Sequence, residues 1–264
     1  MAEASTSEDR IRLDVEGHVA IVTMNRPDKL NAFDLGMLDA LTAVCDRVER
    51  NREIRVAVLT GAGKAFSAGG DIKAWAGMDA ASFGHLWVRH GHRVFERLAT
   101  LRVPVVAALN GHALGGGLEI AACADIRIGQ PGIRIGMPET GLGMVPGWSG
   151  TQRLVQRFGA NIVRRMVLGG EIFSVDEART AGLIDVVAGE GGALEAAREY
   201  AARIAARGPA AIESAKLMIA AASGENPAAS IEALASILVA GTGDLKEGVA
   251  AFSQKRPPQF KGEW

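Results

Sequence analysis

A strand-like run that breaks into glycines and restarts as a helix occurs twice in this chain. That pattern constrains the fold more than any other feature. The first copy is "VAVLTGAG" followed by "SAGGDIKAW", and the second is "VPVVAALNG" followed by "HALGGGLEI". Short runs rich in Val and Ala, bounded by glycine, read as strands buried on both faces. Buried strands alternating with helices need crossover connections, so the chain predicts an α/β core with parallel pairing. Glycine supplies 33 of the 264 residues, well above the usual share of about 7%. The excess gathers at 61–70, 115–117 and 141–150, so it marks particular loops and not a flexible chain.

Around these two units the periodicity changes in a readable order. Residues 11–15 and 18–24 form apolar runs about Glu16-Gly17, which predicts a hairpin. Residues 34–50 carry Leu35, Leu38, Leu41, Val44, Cys45 and Val48 at helical spacing, and 83–101 reads as a long amphipathic helix. "ADIRIG" and "IRIGMPE" are short strands, and 149–158 and 161–168 are helices. From about residue 195 the chain turns to Ala-rich helical segments with no strands between them, too apolar on their faces to stand alone.

Several function classes are excluded by composition. Lys and Arg number 29 against 30 Asp and Glu, for a formal charge of −1, so no basic patch points to nucleic acid or an anionic membrane. No apolar run reaches the 18 or so residues of a membrane span, and "MAEASTSEDR" lacks the basic start and apolar centre of a signal peptide. Cys45 and Cys123 lie in apolar helical patterns, read as reduced, buried thiols of a cytoplasmic protein. The five histidines are scattered, with no metal-ligand spacing among them.

The glycine motifs invite nucleotide readings, and each fails on spacing. "GAGKAF" has Val58 where a phosphate loop needs its first glycine and Ala65 where it needs Ser or Thr. "LGGGLEI" puts Ile120 where a dinucleotide fingerprint needs its third glycine, and "GWSGT" puts Thr151 where a nucleophile elbow needs its second. What remains is two loops, "SAGGD" and "LGGG", each ending where a helix begins, with free backbone N–H groups pointing out. Two such donors converging on one point would stabilise an oxygen that turns negative during reaction. Glu119 stands in the first turn of the second helix, where the helix dipole alone accounts for an acid. Glu139 follows Pro138 in a glycine-rich loop, where an exposed acid is the plain alternative. Placed together beside the two donors, they would form an acid–base pair.

In order and spacing, "NRPDKLNAF", "AFSAGGDIK", "NGHALGGGLEIAACADIRI", "MPETGLGMVPGWSGTQRL" and "AGLIDVV" resemble the enoyl-CoA hydratase/isomerase (crotonase) family, from about residue 12 nearly to the end of the chain. The resemblance implies a spiral of ββα turns over 11–195 that holds an acyl-CoA site. It also implies a helical region over 196–264 that builds trimers, commonly paired into hexamers. No separate cofactor or metal is implied, since coenzyme A arrives on the substrate. By motif position the two oxyanion donors are the N–H groups of Gly70 and Gly116, and the two acids are Glu119 and Glu139. Gly147 matches a glycine whose N–H helps hold the catalytic water. CoA contacts are expected from Asp28, Lys29 and Leu30, from Ala68, Gly70, Asp71 and Ile72, and from Lys255 of a neighbouring subunit.

Both acids together point to syn hydration of a 2-enoyl-CoA. A related isomerase or dehydratase, or a silent acyl-CoA-binding subunit, are the alternatives. Trp148 departs from the small residue that many hydratases carry after the water-holding glycine; its indole either narrows or redirects the acyl pocket or packs outward.

Overall fold

The computed structural model of the chain describes residues 10–262; the reading of the first nine residues of "MAEASTSEDR" lies outside them. Contacts divide the chain into two compact units, the first ending at Ile212 and the second beginning at Glu213.

The first unit is built on two sheets. One has six strands in the order β1 (Ile11–Glu16), β2 (Val19–Met24), β3 (Val56–Gly61), β5 (Val105–Leu109), β7 (Ile126–Gly129) and β10 (Val186–Val187). The other has four, β4 (Ala65–Ser67), β6 (His112–Leu114), β8 (Arg134–Gly136) and β9 (Ile172–Ser174). β1 and β2 form the antiparallel hairpin, from Ile11↔Met24 to Glu16↔Val19, so the turn is Gly17-His18, one residue beyond the position read from sequence. From β2 to β10 every pairing in the large sheet is parallel. Chain order alternates between the sheets: β3 to β4, β5 to β6, β7 to β8, each pair followed by helix. This is the expected spiral of ββα turns.

Strand alternation divides the core. In β3, Ala57 and Leu59 face the cluster that holds the helices Leu35–Arg50 and Arg89–Ala99. Val56 and Val58 face the opposite way, toward Ala193, Ala197 and Ala201. Those alanines recur every fourth residue of the helix Gly192–Ala205, so its small-residue face lies on the sheet. That helix therefore belongs to the first unit, although composition groups it with the C-terminal helices and predicts a boundary at 195.

The second unit contains the helices Pro227–Ala240 and Gly243–Ser253. No single helix among the described residues is long and apolar enough to cross a membrane; those two pass together only as a pair bent by 77°.

Candidate active site

Three loops and the helical segment Phe83–Val88 of the first unit surround a cavity of about 420 Å³. Its inner lining includes Gly70, Gly115, Gly116, Glu119, Glu139, Gly147 and Trp148, and no histidine lines it. Among the described residues no three His, Cys, Asp or Glu side chains gather as a metal site.

The two glycine loops meet at this cavity. A Cβ built on Gly116 would stand 3.2 Å from the Gly69 Cα, and one on Gly69 would stand 2.9 Å from the Gly116 nitrogen. This backbone approach leaves no room for side chains. Among the described residues neither the Gly70 N–H nor the Gly116 N–H donates to a protein acceptor. Gly116 opens the helix Gly116–Ala121, where first-turn N–H groups have no intrahelical partner.

The loop carrying Gly70 is held from below by two residues that the sequence reading passed over. Asn31, fully buried, donates through Nδ2 to the carbonyls of Ala62, Ala65 and Phe66 at 2.9, 2.8 and 3.2 Å. The Ser67 hydroxyl donates to the Asn31 carbonyl at 2.9 Å and accepts the Gly69 N–H at 3.2 Å. Asn31 lies inside the quoted "NRPDKLNAF" and Ser67 inside "AFSAGGDIK", so the signal was present. An Asn set between Leu30 and Ala32 as the chain turns back to apolar sequence is the feature that points to the first, and the structure shows it buried at positive φ.

Glu119 is 3% exposed. Its Oε1 accepts the N–H groups of Trp148 and Gly150, both at 2.7 Å. Burial, reinforced by the charge of Glu139, pushes its pKa up from 4.5 to about 8, against the opposing pull of those two N–H donors and of Arg153. Arg153 is itself buried in an ion pair with Glu96, and its Nη1 approaches the Cys123 Sγ at 3.4 Å. The sequence reading settled neither the donors nor the protonation of Glu119. Its first-turn position did not show that the loop at 148–150 would fold back over it.

Glu139 begins a short 3-10 turn, Glu139–Leu142, anchored by the Thr140 hydroxyl donating to the Val167 carbonyl at 2.8 Å. Burial raises its pKa. Its Oε2 is buried and has no hydrogen-bond partner among the described residues. A buried carboxylate oxygen without a partner needs one, and this one belongs to a residue that lines the cavity. Its other oxygen crowds Gly115: a Cβ there would stand 2.8 Å from Oε1, and Gly115 sits at φ +54°. The positive φ is what favours glycine at 115; a Cβ there would also push the Glu139 carboxylate aside.

The remaining expected residues are placed as follows. Gly147 lines the cavity, with no protein acceptor for its N–H among the described residues. Ala68 and Ile72 line it too, and the Ala68 N–H donates to the Leu30 carbonyl at 3.0 Å, which ties the exposed turn of Asp28, Lys29 and Leu30 to the rim. Asp71 is already engaged: it accepts the Lys73 N–H at 3.0 Å and pairs with Arg26 at 2.8 Å, so it positions the loop. Lys255 lies in the second unit, exposed and at φ +53°.

An apolar cavity with two free N–H donors from different loops and two carboxyl groups, at least one holding a proton at neutral pH, is a site for stabilising an oxyanion while protons move beside it. The chain belongs to the enoyl-CoA hydratase/isomerase family, which it matches over residues 14–263. It is 37% identical to a short-chain-enoyl-CoA hydratase of Clostridium acetobutylicum over 94% of this chain and 96% of that protein. It is 36% identical to an (E)-benzylidenesuccinyl-CoA hydratase of Thauera aromatica, covering 96% of this chain and 99% of that one. A crystal structure of an enoyl-CoA hydratase from Bacillus anthracis superposes with a TM-score of 0.80 at 36% identity, covering 96% of this chain and all of that one.

Proposed function

We propose that this protein hydrates 2-enoyl-CoA thioesters. The observation that carries the reading is the unpartnered Oε2 of Glu139 in the same cavity as Glu119 and the two free glycine N–H groups. The thioester oxygen accepts from Gly70 and Gly116. Water attacks Cβ of the double bond, and one carboxylate takes its proton. The π electrons move onto the thioester oxygen as an enolate, which the two donors stabilise, a lost donor of this kind costing about 10²–10³-fold in rate. The enolate collapses as the other carboxyl group delivers its proton to Cα, so the pair ends the cycle still holding one proton. With both acids on one face of the substrate, addition is syn. No cofactor enters these steps, and CoA is the handle on the substrate.

The exposed turn of Asp28 to Leu30 and the rim residues Ala68 and Ile72 are the groups suited to hold the CoA moiety. Lys255 is suited to a phosphate supplied across a subunit boundary. The second unit exposes Ile237, Leu238, Val249 and Phe252, which supports association into trimers or pairs of trimers.

Loss of enoyl-thioester absorbance with crotonyl-CoA tests the activity. Glu139→Gln is expected to keep the fold and lower the rate about 10²–10⁴-fold. A Glu139→Gln enzyme that hydrates at the wild-type rate removes the two-acid mechanism and leaves hydration to Glu119 alone.

A further inference from the structure

The Trp148 indole is 3% exposed and occupies a slot shaped by three glycines. A Cβ built on Gly91 would stand 2.2 Å from its Nε1, one on Gly116 would stand 3.0 Å from two ring carbons, and one on Gly70 would stand 3.4 Å from Cη2. Gly91 comes from the helix Arg89–Ala99, so the ring bridges the two oxyanion loops and that helix. Its orientation is pinned, because Nε1–H donates to the Trp87 carbonyl at 3.2 Å. Trp87, Phe95 and Phe33 surround it at ring separations of 4.9, 5.2 and 6.1 Å.

The cavity that reaches Gly70, Gly116 and Glu119 therefore ends on an indole packed against core. Its other side is open: Ile72, Leu142 and Val145 are 47%, 62% and 71% exposed. A thioester carbonyl held by the two glycine donors has one substituent leading out toward Ala68 and Ile72. The other enters the cavity, whose buried wall includes Trp148 and Trp87.

We propose that Trp148, seated in the notch left by Gly91, is the end wall of the acyl site and restricts this enzyme to short acyl chains. The inference rests on the hydratase reading and adds the substrate class. Trp148 has two separable duties. Its backbone N–H holds Glu119 whatever its side chain, while its ring limits the space beyond Cβ. Aromatic packing around the ring makes that limit rigid, because Phe33 and Phe95 are fully buried and have nowhere to move. One misfitting methylene in such a pocket is worth about 10–200-fold in kcat/KM.

The test is kcat/KM for crotonyl-, 2-hexenoyl-, 2-octenoyl- and 2-decenoyl-CoA with wild type, Trp148→Ala, Trp148→Phe and Gly91→Ala, each checked by circular dichroism. Wild type is expected to favour crotonyl-CoA over octenoyl-CoA by at least about tenfold. Trp148→Ala, and to a lesser degree Trp148→Phe, should shift that ratio toward the longer chains by about tenfold or more. Gly91→Ala, which forces the indole toward the cavity, should shift it the other way. A flat wild-type profile overturns the proposal, since the chain would then leave by Leu142 and Val145. So does a folded Trp148→Phe with an unchanged ratio, even where Trp148→Ala fails to fold. Failure of wild type to hydrate any of the four thioesters overturns the hydratase reading instead.

Discussion

A backbone N–H is the proposed working group of Gly116, and two substitutions separate it from the space around it. Alanine keeps the donor but brings a Cβ within 3.0 Å of the Trp148 ring. Proline brings similar bulk and removes the donor, while its fixed φ suits the first turn of a helix. Gly116→Ala is expected to lose activity through crowding, and Gly116→Pro about 10²–10³-fold more in kcat/KM. Equal rates for the two folded variants would show that this N–H carries no developing charge. Glu119 makes a second prediction at the same scale. Because the folded chain keeps its proton up to pH of about 8 while an unfolded chain releases it near 4.5, the folded state binds more protons between those values. Stability from this group is therefore full below pH 4.5 and declines as pH rises toward 8, with a ceiling of roughly 5 kcal/mol. Glu119→Gln cannot titrate, so it should lose hydration yet melt higher than wild type at pH 8, with the gap closing toward pH 5. Thermal melts across that range check it, and a gap that widens on acidification contradicts the buried, protonated assignment.

At the scale of elements, the helices were legible and most of the second sheet was not. Leu38, Leu41, Val44, Cys45 and Val48 recur with the helical period, and the helix Leu35–Arg50 follows, capped by Asp34 accepting the Met37 N–H. β4 and β6 are three residues each and sit among glycines, too short to show any period, so the sequence displays them as loop; β8, equally short, reads as a strand within "IRIGMPE". The expected long helix over 83–101 is a π-helical Phe83–Val88 running into Arg89–Ala99. The added residue per turn is a local hydrogen-bond choice that the apolar spacing does not encode. Both glycine loops and both acids could be named from sequence. The braces that aim them could not, because Asn31, Ser67 and Gly150 act across 31 to 36 positions of chain. Asn31→Ala tests one brace. It strands three carbonyls and the Arg26 N–H, whose bond to Oδ1 is 2.9 Å, and buried unsatisfied groups cost about 1–3 kcal/mol each. A loss of about 3 kcal/mol or more is expected on chemical denaturation, with kcat falling as the Gly70 loop loosens. An unchanged unfolding midpoint would mean that the turn is held by other contacts.

At the scale of the whole molecule, the two units answer the hydrophobic effect differently. In the first, the parallel strands β3 and β5 are buried throughout and the sheet is covered on both faces, as parallel sheets require. In the second, Ile231, Ile237, Leu238 and Val249 are each about 60% exposed and Phe252 is 87% exposed. Exposed apolar side chains in such number, on consecutive helices, are the composition of an interaction surface. The covering partner best suited is a second copy, because an exposed set on every chain can be buried reciprocally in a closed ring. Val249→Glu combined with Phe252→Glu places charge on the helix Gly243–Ser253 without touching any residue that lines the cavity. The prediction is that wild type scatters light as a trimer or hexamer at micromolar concentration, while the double variant shifts toward monomer and keeps the circular dichroism of a folded chain. A wild-type monomer at that concentration refutes self-association. A double variant that stays assembled moves the interface off this helix, to the face of Pro227–Ala240 that carries Ile231, Ile237 and Leu238.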